Sequence, residues 1–186
     1  MKNRINFPVA GRGVADQRRG IIVVLAAVIV VVIMAFTAFT VDVGYITVTK
    51  AELQKSADAA TLSAALELSD GIGPQATKTV GEVETLSRQA AVDVAAANRG
   101  GGLDSVFADG DRDVRFGQVT WDPVNKAWIK SWGTSPYNLV EVTLRRSEAT
   151  DEDGNPTAGG DRPLSLFFAP VIGHDEASVS AQSASG

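Results

Sequence analysis

The sequence predicts an α+β chain: an N-terminal transmembrane helix continuing into an amphipathic helix, a second helix, and then a small antiparallel β-sheet. Three observations carry this reading. Gly20 to Val41, 22 residues, contains no charged side chain. Small and apolar residues then recur at helical spacing as far as about Asn98. From Asp113 onward the apolar period changes to two, with turn residues between the runs. Helices first and strands afterwards is the order of an α+β domain.

At about 1.5 Å per residue, a 22-residue helix reaches about 33 Å, which matches a hydrocarbon core of about 30 Å. Fourteen of those residues are Val, Ile, Leu or Phe. At about −0.3 to −0.6 kcal/mol each they favour insertion, with no charge opposing them. In lipid the backbone must satisfy its own hydrogen bonds, so a single span is helical. A cleaved secretory signal also has a basic start and an apolar core. Its core is usually only about 7–15 residues and ends in a small-residue cleavage site. Here the core is longer, and Phe39-Thr40-Val41-Asp42 is a poor site. The segment therefore reads as an anchor. Arg18-Arg19 touches the twin-arginine pattern, but Gly20-Ile21-Ile22 does not continue it.

Charge sets the orientation. Lys2, Arg4, Arg12, Arg18 and Arg19 face only Asp16 before the span, a net +4; the whole chain carries −5, leaving −9 after the span. Lys and Arg favour the cytoplasmic side, and Arg18 and Arg19 abut the span. The expected organisation is a cytoplasmic basic tail (1–19), a transmembrane helix (20–41), an extracytoplasmic helical pair (42–98) and an extracytoplasmic β-rich domain (99–186), with membrane lipid as one partner. There is no cysteine, which excludes disulfides, thiolate catalysis and Cys-ligated metal sites.

Beyond the span, Leu53, Ala57, Ala60, Ala64 and Leu68 are spaced 4-3-4-4, one stripe of an amphipathic helix. Lys50, Glu52, Lys55 and Glu67 fall off it. Gly71-Ile72-Gly73-Pro74 stops this helix, and a second is expected from about Gln75 to Asn98. Its stripe is read as Val80, Val83, Ser87, Ala90, Val94 and Ala97, with Gly100-Gly101-Gly102 supplying a left-handed C-cap. Small side chains let helices approach closely but bury little area each. The first stripe is therefore expected to face residues 75–98 or a partner helix.

Val114 to Trp121 alternates, Asp122 to Lys126 is a turn, and Ala127 to Trp132 returns. Asn138 to Arg145 alternates again, 147–162 is a polar loop, and Pro163 to Phe168 is a short apolar run. Ala177 to Ala184 reads as a last strand.

Arg18-Arg19-Gly20 before the span, Val41-Asp42-Val43-Gly44 after it, then Leu53-Gln54, Ala57-Asp58-Ala59-Ala60, Leu62 and Ala64-Ala65 form a combination. It resembles the N-terminal module of TadE/TadG-like Flp pilus-assembly proteins, over about a quarter of the chain. More loosely, Phe116-Gly117, Trp121-Asp122, Asn138 with Val140 and Val142, Leu164 to Phe168, Gly173 and the final strand are similar to such proteins too. The resemblance implies a membrane anchor with an extracytoplasmic domain serving tight-adherence pilus assembly. It also implies a docking role for Asp42 and Gly44, where the bare sequence offers a residue marking the membrane edge. Asp58, grouped with the helix contact stripe Leu53, Ala57, Ala60 and Ala64, reads as a solvated face residue or as a polar contact to a partner helix. One departure matters. Pilin-like subunits cleaved at a glycine carry Glu five residues later, whereas Leu25 stands five residues after Gly20. A filament subunit is therefore disfavoured.

No motif carries catalysis or a cofactor. His174, the sole histidine, sits in a Gly173-His174-Asp175 turn without a nucleophile elbow. Asp109, Asp111 and Asp113 have the first spacings of a calcium loop, as do Asp151, Asp153 and Asn155. The required Gly and Glu are replaced by Val114 and Thr120 in the first and by Pro156 and Arg162 in the second. Solvated turns are expected. Trp121, Trp128 and Trp132 lie in strand-like segments, which predicts core or cross-strand packing over an adhesive surface. The acidic outer part argues against nucleic acid. The expectation is a non-enzymatic component with no small-molecule substrate that contacts other pilus-assembly or secretion membrane proteins. An adhesion module or a minor pilin-like subunit is the alternative.

The charge split makes a direct prediction. Protease added outside intact spheroplasts is expected to digest everything beyond about Asp42 and spare residues 1–19. Protection of the C-terminal part would reverse the orientation.

Overall fold

The computed structural model describes residues 14–74, 76–148 and 161–186, with residues 14–19 described by their backbone alone. Helix α1 runs Val14–Ser69, α2 Val80–Ala96 and α3 Gly110–Asp113. The strands are β1 Val114–Asp122, β2 Ala127–Trp132, β3 Leu139–Arg146, β4 Leu164–Ser165, β5 Glu176–Ala177 and β6 Val179–Ser185, with a 3-10 turn at Ala169–Ile172. The chain is mixed α+β with antiparallel pairing, the predicted class. It divides into two compact units, Met1–Thr40 and Val41–Gly186.

In the first unit every Val, Ile, Leu, Met and Phe from Ile21 to Phe39 is exposed. This part of α1 is long and apolar enough to cross a membrane. Its two described hydroxyls are satisfied within the helix: Thr37 donates to the Ile33 carbonyl at 2.9 Å and Thr40 to that of Phe36 at 2.8 Å. Such back-bonding leaves no polar group facing lipid unpaired.

In the second unit a four-stranded antiparallel sheet has the order β2-β1-β3-β6, and β4 and β5 form a separate two-stranded pair. Leu53, Ala57, Ala60, Ala64 and Leu68 of α1 are buried in one core with Val83, Ala91 and Ala95 of α2 and Val140, Val142 and Leu144 of β3. The predicted stripe therefore packs within the chain itself. Asp58 lies outside it, exposed, and accepts a 2.8 Å hydrogen bond from Gln54 Nε2. The same Gln54 nitrogen donates to the Gln182 carbonyl, and Thr61 donates to that of Ser183. Side chains of α1 thus meet the backbone of β6, an edge strand, and cover a position open to unwanted pairing.

The second helix departs from its predicted bounds. It starts at Val80 because Thr79 and Glu82 form a capping box, each side chain satisfying the other's backbone N–H. The sequence Thr-x-x-Glu carries that signal; Gln75, the expected start, lies outside the described residues. The buried positions are Val83, Ser87, Ala91 and Ala95, while Val80 and Ala97 are exposed. Alanine on neighbouring faces left the hydrophobic direction of this helix poorly defined. Its C-cap is Ala97 in a right-handed conformation, so Gly100–Gly102 do not cap it. Those glycines pack against α1, as described below.

Strand β3 is central and covered on both sides, so Leu139 and Glu141 are buried along with Val140 and Val142. Arg115 pairs with Glu141 at 3.4 Å. Asn138 copies a strand bond: its side chain accepts from the Val119 N–H at 2.7 Å and donates to the Val119 carbonyl at 3.0 Å. Asp122 closes the β1–β2 hairpin by accepting from the backbone N–H groups of Val124 and Asn125. Trp121 and Trp128 form a cross-strand edge-to-face pair with centroids 5.2 Å apart. Arg115 sits over the Trp132 ring at 4.4 Å. Trp121 and Trp128 are exposed.

Ala57 and Ala60 have no exposed surface. Replacing either with Leu is expected to overpack the core and destabilise the detergent-solubilised chain by about 1–3 kcal/mol. Lys55→Ala should stay within about 0.5 kcal/mol. Urea unfolding followed by circular dichroism measures the difference, and equal losses at both kinds of position would show that the stripe is not close-packed.

Candidate functional site: the Asp42 clamp

Asp42 is the first charged residue after the apolar segment, yet only 4% of its surface is exposed. A buried carboxylate needs donors, and three successive backbone N–H groups provide them. Phe167 donates to Oδ1 at 2.9 Å, Phe168 to Oδ2 at 3.0 Å and Ala169 to Oδ2 at 2.7 Å. The donors lead into the 3-10 turn Ala169–Ile172, so the carboxylate meets the unpaired N–H groups that open such a turn. Burial by itself would push the Asp42 carboxyl up. The bonds from Phe167, Ala169 and Phe168 together outweigh it and hold the group below the usual aspartate range.

One turn further along α1, the Tyr45 ring packs on Phe167 with centroids 5.1 Å apart, and its hydroxyl donates to the Gly101 carbonyl at 3.1 Å. Glu52 accepts from the Gly101 N–H at 2.8 Å. Arg146, at the end of β3 and buried, donates to four carbonyls: Arg162 at 2.5 Å, Gly100 and Gly101 at 2.8 Å, and Pro163 at 3.2 Å. Gly101 is held between these elements. Its φ is +57°, and a Cβ there would lie 2.6 Å from Thr49 Cγ2 and 2.9 Å from Arg146 Nη1. Only glycine fits. Arg146 and Glu52 thereby join the glycine loop, the start of β4 and α1 into one hydrogen-bonded corner.

Of the residues read from the sequence, Asp42 is brought into this corner. Gly44 is exposed, with open space where a Cβ would stand. Leu53, Ala57, Ala60 and Ala64 lie deeper in the core, Asp58 is on the surface, and the side chains of Arg18 and Arg19 lie outside the described residues. Sequence reading missed Tyr45, Glu52, Gly101 and Arg146. Their partners are backbone groups 49 to 56 residues away for the first two and up to 46 for Arg146, which no local spacing reveals.

The acidic run splits between two tasks. Asp109 caps α3 by accepting from Asp111 and Arg112 N–H groups, and Asp113 is buried against Arg112 and Arg145. Asp161, also buried, pairs with Arg112 at 2.9 Å. Asp151, Asp153 and Asn155 lie outside the described residues. His174 is exposed.

Residues 20–67 match the model of the Tad family, described as "Putative Flp pilus-assembly TadE/G-like", in agreement with the resemblance read from the sequence. The match takes in the apolar segment, Asp42, Gly44 and the buried stripe. No curated protein and no solved structure matches the chain.

The depressed Asp42 pKa fixes a pH dependence. The folded value lies below the unfolded one, near 3.9, so its stabilising effect is complete above that value and disappears as pH falls through the folded value. Hydrogen exchange of the Phe167–Ala169 amides should therefore stay protected at neutral pH and lose protection only as pH falls below the ordinary aspartate range. Asp42→Asn should weaken that protection already at neutral pH, because the amide keeps one acceptor oxygen and replaces the other with an NH2 group that cannot accept. Unchanged protection in the variant would show that the carboxylate does not hold the loop.

Proposed function

We propose that this chain is a non-enzymatic, membrane-anchored component of a Flp/Tad-type pilus-assembly or secretion apparatus, acting through protein–protein contacts. The observation that carries the reading is the family match over residues 20–67, because that one segment combines a helix able to cross a membrane with Asp42, the acceptor of the clamp. The basic residues before the span and the acidic balance after it support a cytoplasmic tail (1–19), a span (20–41) and an extracytoplasmic remainder in a bacterial inner membrane. Within that remainder, residues 42–98 supply the helical pair and 99–186 the β-rich part.

The clamp supports a boundary role for Asp42, since the first charged residue after the uncharged segment is held inside the folded part. Docking falls to what α1 leaves uncovered. Gly44 offers a flat approach, and Val48, Leu62 and Leu66 are exposed apolar residues on the same helix. An adhesion module is a second reading, favoured by the exposed Trp121–Trp128 pair on the hairpin.

As an uncleaved anchor, the mature protein is expected to begin with its cytoplasmic tail, to fractionate with the inner membrane, to co-purify with secretion-apparatus membrane proteins and to be absent from sheared pili. N-terminal sequencing of the membrane-extracted chain provides the check. A chain starting at Ile21 and recovered in sheared filaments would replace the anchor by a minor pilin.

A further inference from the structure

Beyond the uncharged segment, the short run Phe167-Phe168-Ala169-Pro170-Val171-Ile172 is both apolar and largely uncovered. Phe167 is 64% exposed, Val171 86% and Ile172 73%. Such a cluster in water is unfavourable, and contiguous exposed apolar surface marks a site meant to be covered. Its position says by what. The backbone of Phe167, Phe168 and Ala169 is hydrogen-bonded at 2.7–3.3 Å to Asp42, and Asp42 follows directly on Val41, the last residue of the uncharged segment. Helical side chains lean toward the helix N-terminus, so the Asp42 carboxylate reaches back toward the span and does not extend away from it. Whatever it holds is therefore tied to the residue that directly follows the uncharged segment.

We propose that the Phe168–Ile172 turn is a second membrane contact, an apolar tip that enters the lipid interface beside the span's end, with Phe167 and Tyr45 as an aromatic pair at headgroup level. The proposal rests on the membrane-anchor reading. Aromatic rings with one polar end are favoured at that level, and the Tyr45 hydroxyl already has a polar partner in the Gly101 carbonyl. The occupant is lipid and its recognition is apolar. No Lys or Arg occurs from Pro163 to Gly186, and Asp175 and Glu176 follow the turn, so attraction to anionic headgroups contributes nothing. The clamp is what aims the tip, since without Asp42 the turn loses its tie to the helix.

The absence of native cysteine allows a direct test on the full chain. Val171→Cys carries a nitroxide label, and the protein is reconstituted in vesicles of zwitterionic phosphatidylcholine alone. Accessibility to oxygen, which concentrates in the bilayer, is compared with accessibility to a water-soluble nickel chelate. Val30→Cys marks the span, and Val124→Cys, at a hairpin turn position 85% exposed, marks the water phase. The expected result is a Val171 label that favours oxygen several-fold more than the Val124 label does, approaching the Val30 label, with no added effect of anionic lipid. A Val171 label in water while the Val30 label is in the bilayer overturns the proposal and leaves the anchor standing. A Val171 label shielded from both reagents overturns it in favour of a protein partner, such as a second copy. A Val30 label in water removes the anchor itself, and the proposal with it.

Discussion

A carboxylate buried beside the end of an apolar helix has to be given hydrogen-bond donors, and much of the second unit is arranged around that need. Asp42 cannot reach water, and its own helix offers no free N–H at that position. The donors come from Phe167–Ala169, some 125 residues later. For them to arrive, the chain after β3 must return to the start of the folded part. Arg146 fixes that return. Its guanidinium gathers the carbonyls of Arg162 and Pro163 with those of Gly100 and Gly101, so the approach to β4 and the glycine loop share one cation. Removing its partners would leave a buried charge, which is costly, so such a corner forms as a whole or not at all.

The second constraint is close approach. Ala57, Ala60 and Ala64 have no exposed surface and only a methyl each, so α1 comes close to whatever it covers. Small side chains contribute little apolar area, and specificity passes to polar contacts at short range. Gln54 and Thr61 meet the backbone of β6, and Glu52 meets that of Gly101. Asp58, expected beside the stripe, serves one step removed by orienting Gln54. The glycines of 100–102 belong to the same logic: they are where a loop backbone lies against a helix, not where a helix ends.

The ionisable groups withdrawn from water are engaged in structural pairs: Asp113 and Asp161 with arginines, Arg146 with carbonyls, Asp42 with backbone N–H groups. Among the described residues the open positions include apolar or flat ones: Gly44, Leu62 and Leu66 along α1, the tryptophan pair on the hairpin and the turn after β4.

Sequence alone determined the features that depend on neighbours in the chain. The uncharged 22-residue segment, the 4-3-4-4 stripe of α1, the period-two runs of β1 to β3 and the Asp122 turn all arise from local spacing, and each lies where that spacing put it. The start of α2 was legible too, in Thr79-x-x-Glu82. Its buried face was not, because alanines on adjacent faces give no hydrophobic direction; the arrival of the sheet selected Ala91 and Ala95. The clamp was out of reach for a different reason. Asp42, Tyr45, Glu52 and Arg146 bond to backbone groups, which every residue possesses, so the sequence of the partner carries no mark of the contact. Only the tertiary structure decides which distant backbone arrives at a buried charge.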